Sequence, residues 1–276
     1  MSDRPWRIIY ILGTGHNGST LLSMLLDDLQ GVTSYSEIQR LPEVFHKLTG
    51  PTRTDAGEWR KVEDAWKART GKTFAQSGDL IEAPNHPFKF LGWLTKLSRF
   101  RQGSDAMFDV LAAHAGTDII CDASKMPTRA LALKLLYGKR VRIVCLDRDV
   151  RSVLKSYIKL GAEPKDMAFR IFGCFVGGRL LKLVYPDTVM MKYEQMAKAP
   201  EPEVARVLAG WTGEIVRKTT PPLRLFAGGN PMKVAYKGVD PKLAQVNDPW
   251  PPATPGILRT VNRWSGYAEA AEPAAG

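Results

Sequence analysis

Residues 13–20, GTGHNGST, carry a pattern suited to holding a phosphate group. Gly13, Gly15 and Gly18 let the backbone turn tightly and come close to a ligand, so that successive N–H groups and the start of a following helix aim at an anion. Ser19 and Thr20 add hydroxyl donors. A loop that grips a nucleoside triphosphate reads GxxxxGK[ST], because the lysine reaches the β- and γ-phosphates while the hydroxyl holds magnesium. Here the spacing is kept, and Ser19 stands where the lysine belongs. That exchange favours a single terminal phosphate group over metal-assisted triphosphate chemistry. A glycine-rich strand-to-helix turn with no ligand is the bland alternative for so short a motif.

A second constellation lies in CLDRDVRSVLKSYIKLG, residues 145–161. Arg148 follows an apolar strand pattern, and Ser152 and Ser156 come four and eight residues later, so all three can line one face where a strand passes into a helix. A guanidinium with a helical serine suits a second phosphate, bound by a charge-assisted fork and a hydroxyl. Arg151, Lys155 and Lys159 share another face and read as a solvated basic stripe. Two such sites, one unable to serve a triphosphate, point to a nucleotide phosphorylated at two positions.

These motifs need a scaffold, and apolar runs supply it at 7–12 (RIIYIL), 118–121 (DIIC), 141–146 (VRIVCL) and 188–193 (TVMMKY). Short continuous runs rich in Val, Ile and aromatics fit strands buried on both faces. Between them, Leu21, Leu22, Leu25, Leu26 and Leu29, and then Val150, Val153, Leu154, Tyr157 and Ile158, repeat at helical spacing. The alternation predicts an α/β fold of three layers, a parallel sheet between helices. The 276 residues suit one domain, with a mostly helical insertion at about 38–117 and an irregular C-terminal segment at about 219–276. In the insertion, Trp59, Val62 and Trp66 can share a helix face, and the aromatics of HPFKFLGWLTKLSRFRQ read as core, with a lid or acceptor wall as the sharper reading.

The formal charge of +11 favours anionic partners without choosing among them. Cys121, Cys145 and Cys174 share no C-x-x-C spacing, which fits a reducing cytoplasm, and His16, His46, His86 and His114 lack metal-ligand spacing. Neither a secretory signal nor a membrane span is visible, although contact with a membrane surface stays open.

With these residues in view, the chain resembles sulfotransferases that use 3′-phosphoadenosine 5′-phosphosulfate (PAPS), in their bacterial branch. YILGTGHNGSTLLSMLL, DASK at 122–125 and LDRDVRSVLKSY look like the 5′-phosphosulfate loop, a lysine motif and the 3′-phosphate motif. MMKYEQMAKAPEPEVARVLAGW and GGNPMKVAYKG are similar to later segments, so that the likeness spans most of 7–267 in the right order. The resemblance implies a P-loop-like sheet and metal-independent transfer of a sulfuryl group to a hydroxyl or amine, leaving 3′-phosphoadenosine 5′-phosphate (PAP). By position, Gly15, His16, Asn17, Gly18, Ser19 and Thr20 would hold the 5′-phosphosulfate, Arg148 and Ser156 the 3′-phosphate, and Lys237 and Gly238 would close over it.

Glu37, in SYSEIQRL, falls where related enzymes carry a catalytic glutamate and is assigned as general base, with a structural ion pair to Arg40 as the alternative. Lys125 would balance charge at the donor sulfate, while Asp122 and Ser124 shape its loop. His16 replaces the lysine or arginine common in relatives; it can give a hydrogen bond to the leaving phosphate, or serve as base in place of Glu37. The competing readings are a small-molecule kinase, with Asp147 and Asp149 on magnesium, and a non-catalytic binder of anions or nucleic acid, for which no motif speaks. A sugar, a lipid-linked compound or a phenol would serve equally as acceptor, read by residues 38–117 and 160–180.

Overall fold

The computed structural model describes residues 5–51, 53–84, 87–220, 222–228 and 249–267. The chain runs through β1 (Arg7–Leu12), α1 (Ser19–Asp27), β2 (Val32–Ser36), α2 (Leu41–Leu48), α3 (Ala56–Thr70), α4 (Gly78–Ile81), α5 (Pro87–Trp93) and α6 (Leu97–Ala115). It continues with β3 (Ile119–Lys125), α7 (Pro127–Tyr137), β4 (Val141–Asp147), α8 (Val150–Ile158), α9 (Pro164–Val184), β5 (Val189–Lys192), α10 (Tyr193–Lys198), α11 (Pro200–Leu208) and α12 (Gly256–Trp264). The five strands pair in the order β2-β3-β1-β4-β5, all parallel.

Strand β1 is central, and its alternating side chains feed two cores. Ile8, Tyr10 and Leu12 join Trp59, Trp66, Phe100, Phe108 and Leu133 from α3, α6 and α7 on one face. Ile9 and Ile11 join Leu22, Leu26, Met196 and Val207 from α1, α10 and α11 on the other. Each such fully buried side chain contributes about 1.5–3 kcal/mol, so both helical layers are held by the same strand. The aromatics Trp59, Trp66 and Phe100 are core residues, and Trp93 packs edge-on against Phe100.

Two elements depart from the sequence reading. Strand β2 has no apolar run to announce it: its sequence is VTSYS, and its buried polar groups are satisfied locally. The Ser34 N–H donates to Asp27 Oδ1 at 2.9 Å, and Ser36 Oγ donates to the Gly228 carbonyl at 3.2 Å. Helix α12 lies within the stretch expected to be irregular. It forms because Leu258 and Val261 are buried against α8 and α9, and because Asn262 Oδ1 accepts the Val150 N–H at the start of α8 at 2.8 Å. Among the described residues, no helix is long and apolar enough to cross a membrane.

The chain leaves β1 towards β2 on one side and leaves its neighbour β4 towards β5 on the other, which makes a crevice at the carboxyl ends of β1 and β4. The loop of residues 13–18 lies at that switch point, tied by the Gly13 N–H to the Lys125 carbonyl at 3.2 Å.

At the opposite end of α1, Asp27 is buried, and Oδ2 has no partner among the described residues. Burial pushes its carboxyl up to about 6, against the opposing pull of the Ser34 N–H, Lys218 and Arg224. A carboxyl raised in the folded state stabilises fully below its unfolded value and loses that contribution as pH rises through the folded one. Asp27→Asn retains the acceptor for Ser34, so urea unfolding should find the variant more stable than wild type by on the order of 2 kcal/mol at pH 8. The difference should shrink towards pH 5.

Candidate active site at the carboxyl ends of the strands

The loop after β1 owes its shape to what packs against it. Asn17 is almost wholly buried and uses both ends of its amide: Nδ2 donates to the Leu146 carbonyl of β4 at 2.9 Å, and Oδ1 accepts the Ser19 N–H at 3.1 Å. Its side chain is therefore a brace, and only its main chain is left for a ligand. Gly18 has φ 95° and precedes α1, where a Cβ would lie 2.1 Å from the Tyr193 ring; glycine is required on both counts. A Cβ on Gly15 would lie 2.2 Å from the Tyr157 hydroxyl. Asn17 takes the Ser19 N–H, and the N-cap residue Gly18 has no side chain to cap the rest of the first turn of α1, whose N–H groups helix geometry directs out of that end as an anion site would require.

Glu37 and Lys125 meet beside this loop. Lys125 ends β3 with φ 73°, and its Nζ donates to Glu37 Oε1 at 2.5 Å, both side chains being about nine-tenths buried. Arg40 Nη1 reaches Glu37 Oε2 at 3.3 Å and is itself held by Glu43 at 2.9 Å. Gly228 lies behind the carboxylate, where a Cβ would come within 3.0 Å of Glu37 Cβ. Burial pushes the Glu37 carboxyl up, but Lys125 and then Arg40 overcome this and hold it below the ordinary glutamate range. The pairing with Arg40 and a catalytic placement are thus compatible. Asp122 and Ser124 do shape the lysine's loop: Asp122 accepts the Ser124 N–H and Arg129 Nε, each at 2.9 Å, and Ser124 Oγ accepts the Gln39 N–H.

His16 has φ 61° and stands edge-on to Tyr157. Burial, then Lys125, Arg148 and Arg170, lower its pKa, while Glu37 opposes them; the imidazole is neutral at neutral pH. Arg148 closes the loop from the far side. Its Nη1 donates to the His16 carbonyl at 2.8 Å, its guanidinium lies 4.2 Å from the Tyr193 ring centroid, and its Nε is buried with no partner among the described residues. Ser156 is two turns along α8 and bonds back to the Ser152 carbonyl at 3.1 Å. His16, Lys125, Arg148 and Glu37 are therefore brought together, with Ser19 and Thr20 opening α1 beside them; Lys237 and Gly238 lie outside the described residues.

The expected basic stripe needs a correction. Arg151 is buried, because Asp149 caps α8 through the Arg151 N–H at 2.9 Å and grips the same residue's Nε at 3.0 Å, with Trp250 over the guanidinium. Asp147 is likewise engaged by Arg179 through both carboxylate oxygens. Both acids that would serve magnesium in a kinase are thus committed to arginine. Sequence reasoning also missed Tyr157, Tyr193, Arg170 and Gly228. Tyr157 directly follows Ser156 and Tyr193 ends the TVMMKY run, but no local signal ties Arg170 or Gly228 to the loop.

Since the Asn17 side chain serves the fold, Asn17→Ala should lower stability by about 1–3 kcal/mol with no ligand present, as a drop in denaturant midpoint at unchanged slope.

A family model described as "Sulfotransferase family" matches residues 8–212. Among solved structures, the chain is similar to the "Sulfotransferase Domain from the Synechococcus PCC 7002 Olefin Synthase", at 16% identity and a TM-score of 0.55, with 97% of each chain covered. It is also similar to the "Sulfotransferase Domain from the Curacin Biosynthetic Pathway", at 16% identity and a TM-score of 0.56, covering 97% of this chain and all of that one. At that identity the structures speak for the fold, while the family match spans the loop, the lysine motif, the Arg148 turn and all five strands. The chain belongs to the sulfotransferase family.

Proposed function

We propose that this protein transfers a sulfuryl group from PAPS to an acceptor hydroxyl or amine, with Glu37 as general base. The observation that carries the reading is the meeting of Glu37, Lys125 and His16 beside a lysine-free phosphate loop whose far side is closed by Arg148. The residues fit a doubly phosphorylated nucleotide. The loop and the first turn of α1 suit the 5′-phosphosulfate, and the orphaned Arg148 Nε, with Ser156, suits the 3′-phosphate. Bound PAPS supplies an electrophilic sulfur and a stable leaving group.

The rest falls to the protein. Lys125 holds Glu37 ionised until an incoming sulfonate competes for the ammonium, and its departure frees Oε1 and raises the basicity of the carboxylate. Arg40 keeps Oε2 in place meanwhile. Glu37 then takes the acceptor proton, and neutral His16 gives a hydrogen bond to the departing phosphate. Engagement of Asp147 and Asp149 by arginine supports this reading over a magnesium-dependent kinase. The helical residues 38–117 and the α9 face bearing Arg170 would meet the acceptor.

Calorimetric titration without metal should show PAP binding, weakened on the order of a hundredfold in Arg148→Ala, and no binding of ATP with magnesium. Binding of ATP alone would overturn the proposal.

Glu37→Gln should keep PAP affinity and lose transfer from radiolabelled PAPS to a pooled library of phenols, sugars and alcohols, by about 100- to 10,000-fold. In wild type the acid limb of kcat/KM for the donor, which reports the free enzyme in which Lys125 still holds Glu37, should lie below the ordinary glutamate range, because that carboxyl is depressed. Arg40→Ala, which removes part of the depression, should move the limb to higher pH; an unmoved limb together with an active Glu37→Gln would transfer the base role to His16.

A further inference from the structure

Tyr157 has no part in the chemistry assigned above, yet it stands among the groups that do. Its ring lies edge-on to His16, with centroids 4.7 Å apart at 85°. Its hydroxyl presses on the phosphate loop: a Cβ on Gly15 would come within 2.2 Å of Oη. Arg170 and Glu37 both act on this hydroxyl electrostatically, as they do on His16, which puts it on the side of the loop where Lys125 and Glu37 meet.

The phenol hydrogen can rotate to meet a ligand, and no acceptor for it is found among the described residues. Burial first, with Cys174 and Glu37 adding to it, raises the phenol above its ordinary range despite Arg170. Tyr157 thus stays protonated at neutral pH, a donor and not a base. Simple packing of an aromatic on a glycine would explain the ring, but not a half-buried hydroxyl fixed at the loop with its proton unspent.

We propose that Tyr157 is a further catalytic residue, whose hydroxyl donates a hydrogen bond to a sulfonate oxygen of the donor and steadies the sulfuryl group during transfer. The inference rests on the PAPS reading given above. In that step the bond from sulfur to the 5′-phosphate oxygen breaks, its electron pair leaving with PAP. A bond from sulfur to the acceptor oxygen forms, and the acceptor proton passes to Glu37. Tyr157 keeps its own proton throughout. The α1 end of the loop and His16 serve the phosphate, whereas the Tyr157 hydroxyl lies on the side of the loop where Glu37 and Lys125 meet and the sulfonate would sit, so its contact is with the group that PAPS has and PAP lacks.

The test titrates PAPS and PAP in parallel into wild type and Tyr157→Phe, a change that leaves the ring on His16. The expected result is PAPS affinity weakened about tenfold in the variant, with PAP affinity unchanged within about twofold. Equal weakening of both nucleotides would mean that the hydroxyl only props the loop, and no change in either would mean that it touches nothing; both overturn the inference. Fluorine NMR of fluorotyrosine-labelled wild type gives a check that needs no stable Phe variant: the tyrosine resonance nearest the site should shift with PAPS and not with PAP, and a shift common to both nucleotides counts against the proposal. Wild type binding neither nucleotide would overturn the PAPS reading itself, and this inference with it.

Discussion

Strand β1 has a hydrogen-bonded neighbour on each side and a helical layer on each face, so the position of its carboxyl end is fixed in every direction. The loop that follows inherits this fixity. Its first N–H is bonded to the end of β3, and its buried asparagine is bonded to the end of β4. A phosphate cradle made of backbone N–H groups works only if those groups already point at one place, because the cost of ordering them would otherwise be drawn from binding. The central strand and the Asn17 brace meet that cost during folding.

The same constraint gathers charge. β3 delivers Lys125 to one side of the loop and β4 delivers Arg148 to the other, while the turn after β2 brings Glu37 across to the lysine. Arg40 adds a second cation on this carboxylate, and Arg170 acts on the neighbouring His16. In a partly desolvated crevice an excess of cations over carboxylates favours the binding of an anion. Lys125 and Arg40 hold Glu37 ionised against its burial, and burial followed by the surrounding cations holds His16 neutral, which in the proposed reaction would set one up to accept a proton and the other to give a hydrogen bond. The lysine missing from the loop at Ser19 is thus not missing from the site. Lys125 brings an ammonium from a neighbouring strand, and in the proposed reading it would face the sulfonate and not a β,γ-phosphate pair.

Much of this was legible in the residues. The strands 7–12, 118–121, 141–146 and 188–193 announce themselves because strands covered on both faces must be continuously apolar, and all four are present with small shifts of boundary. Strand β2 escaped because an edge strand whose polar groups are met by Asp27 and Gly228 needs no apolar run. Helix α12 escaped because its stability comes from docking on α8 and α9, and no local signal reports that. Arg151 looked solvated because helical spacing alone does not reveal that Asp149 and Trp250 enclose it.

What the sequence by itself determined was the parallel α/β fold, the lysine-free glycine loop and the strand-to-helix turn bearing Arg148, since each follows from periodicity or from spacing within a few residues. What only the tertiary structure decided was which groups face one another: Glu37 on Lys125, Gly228 behind Glu37, Tyr157 on Gly15 and His16, and Asn17 turned inward as a brace. Those pairings join residues far apart in the chain, and they exist because the strand order, and not the order of the sequence, sets which carboxyl ends are neighbours.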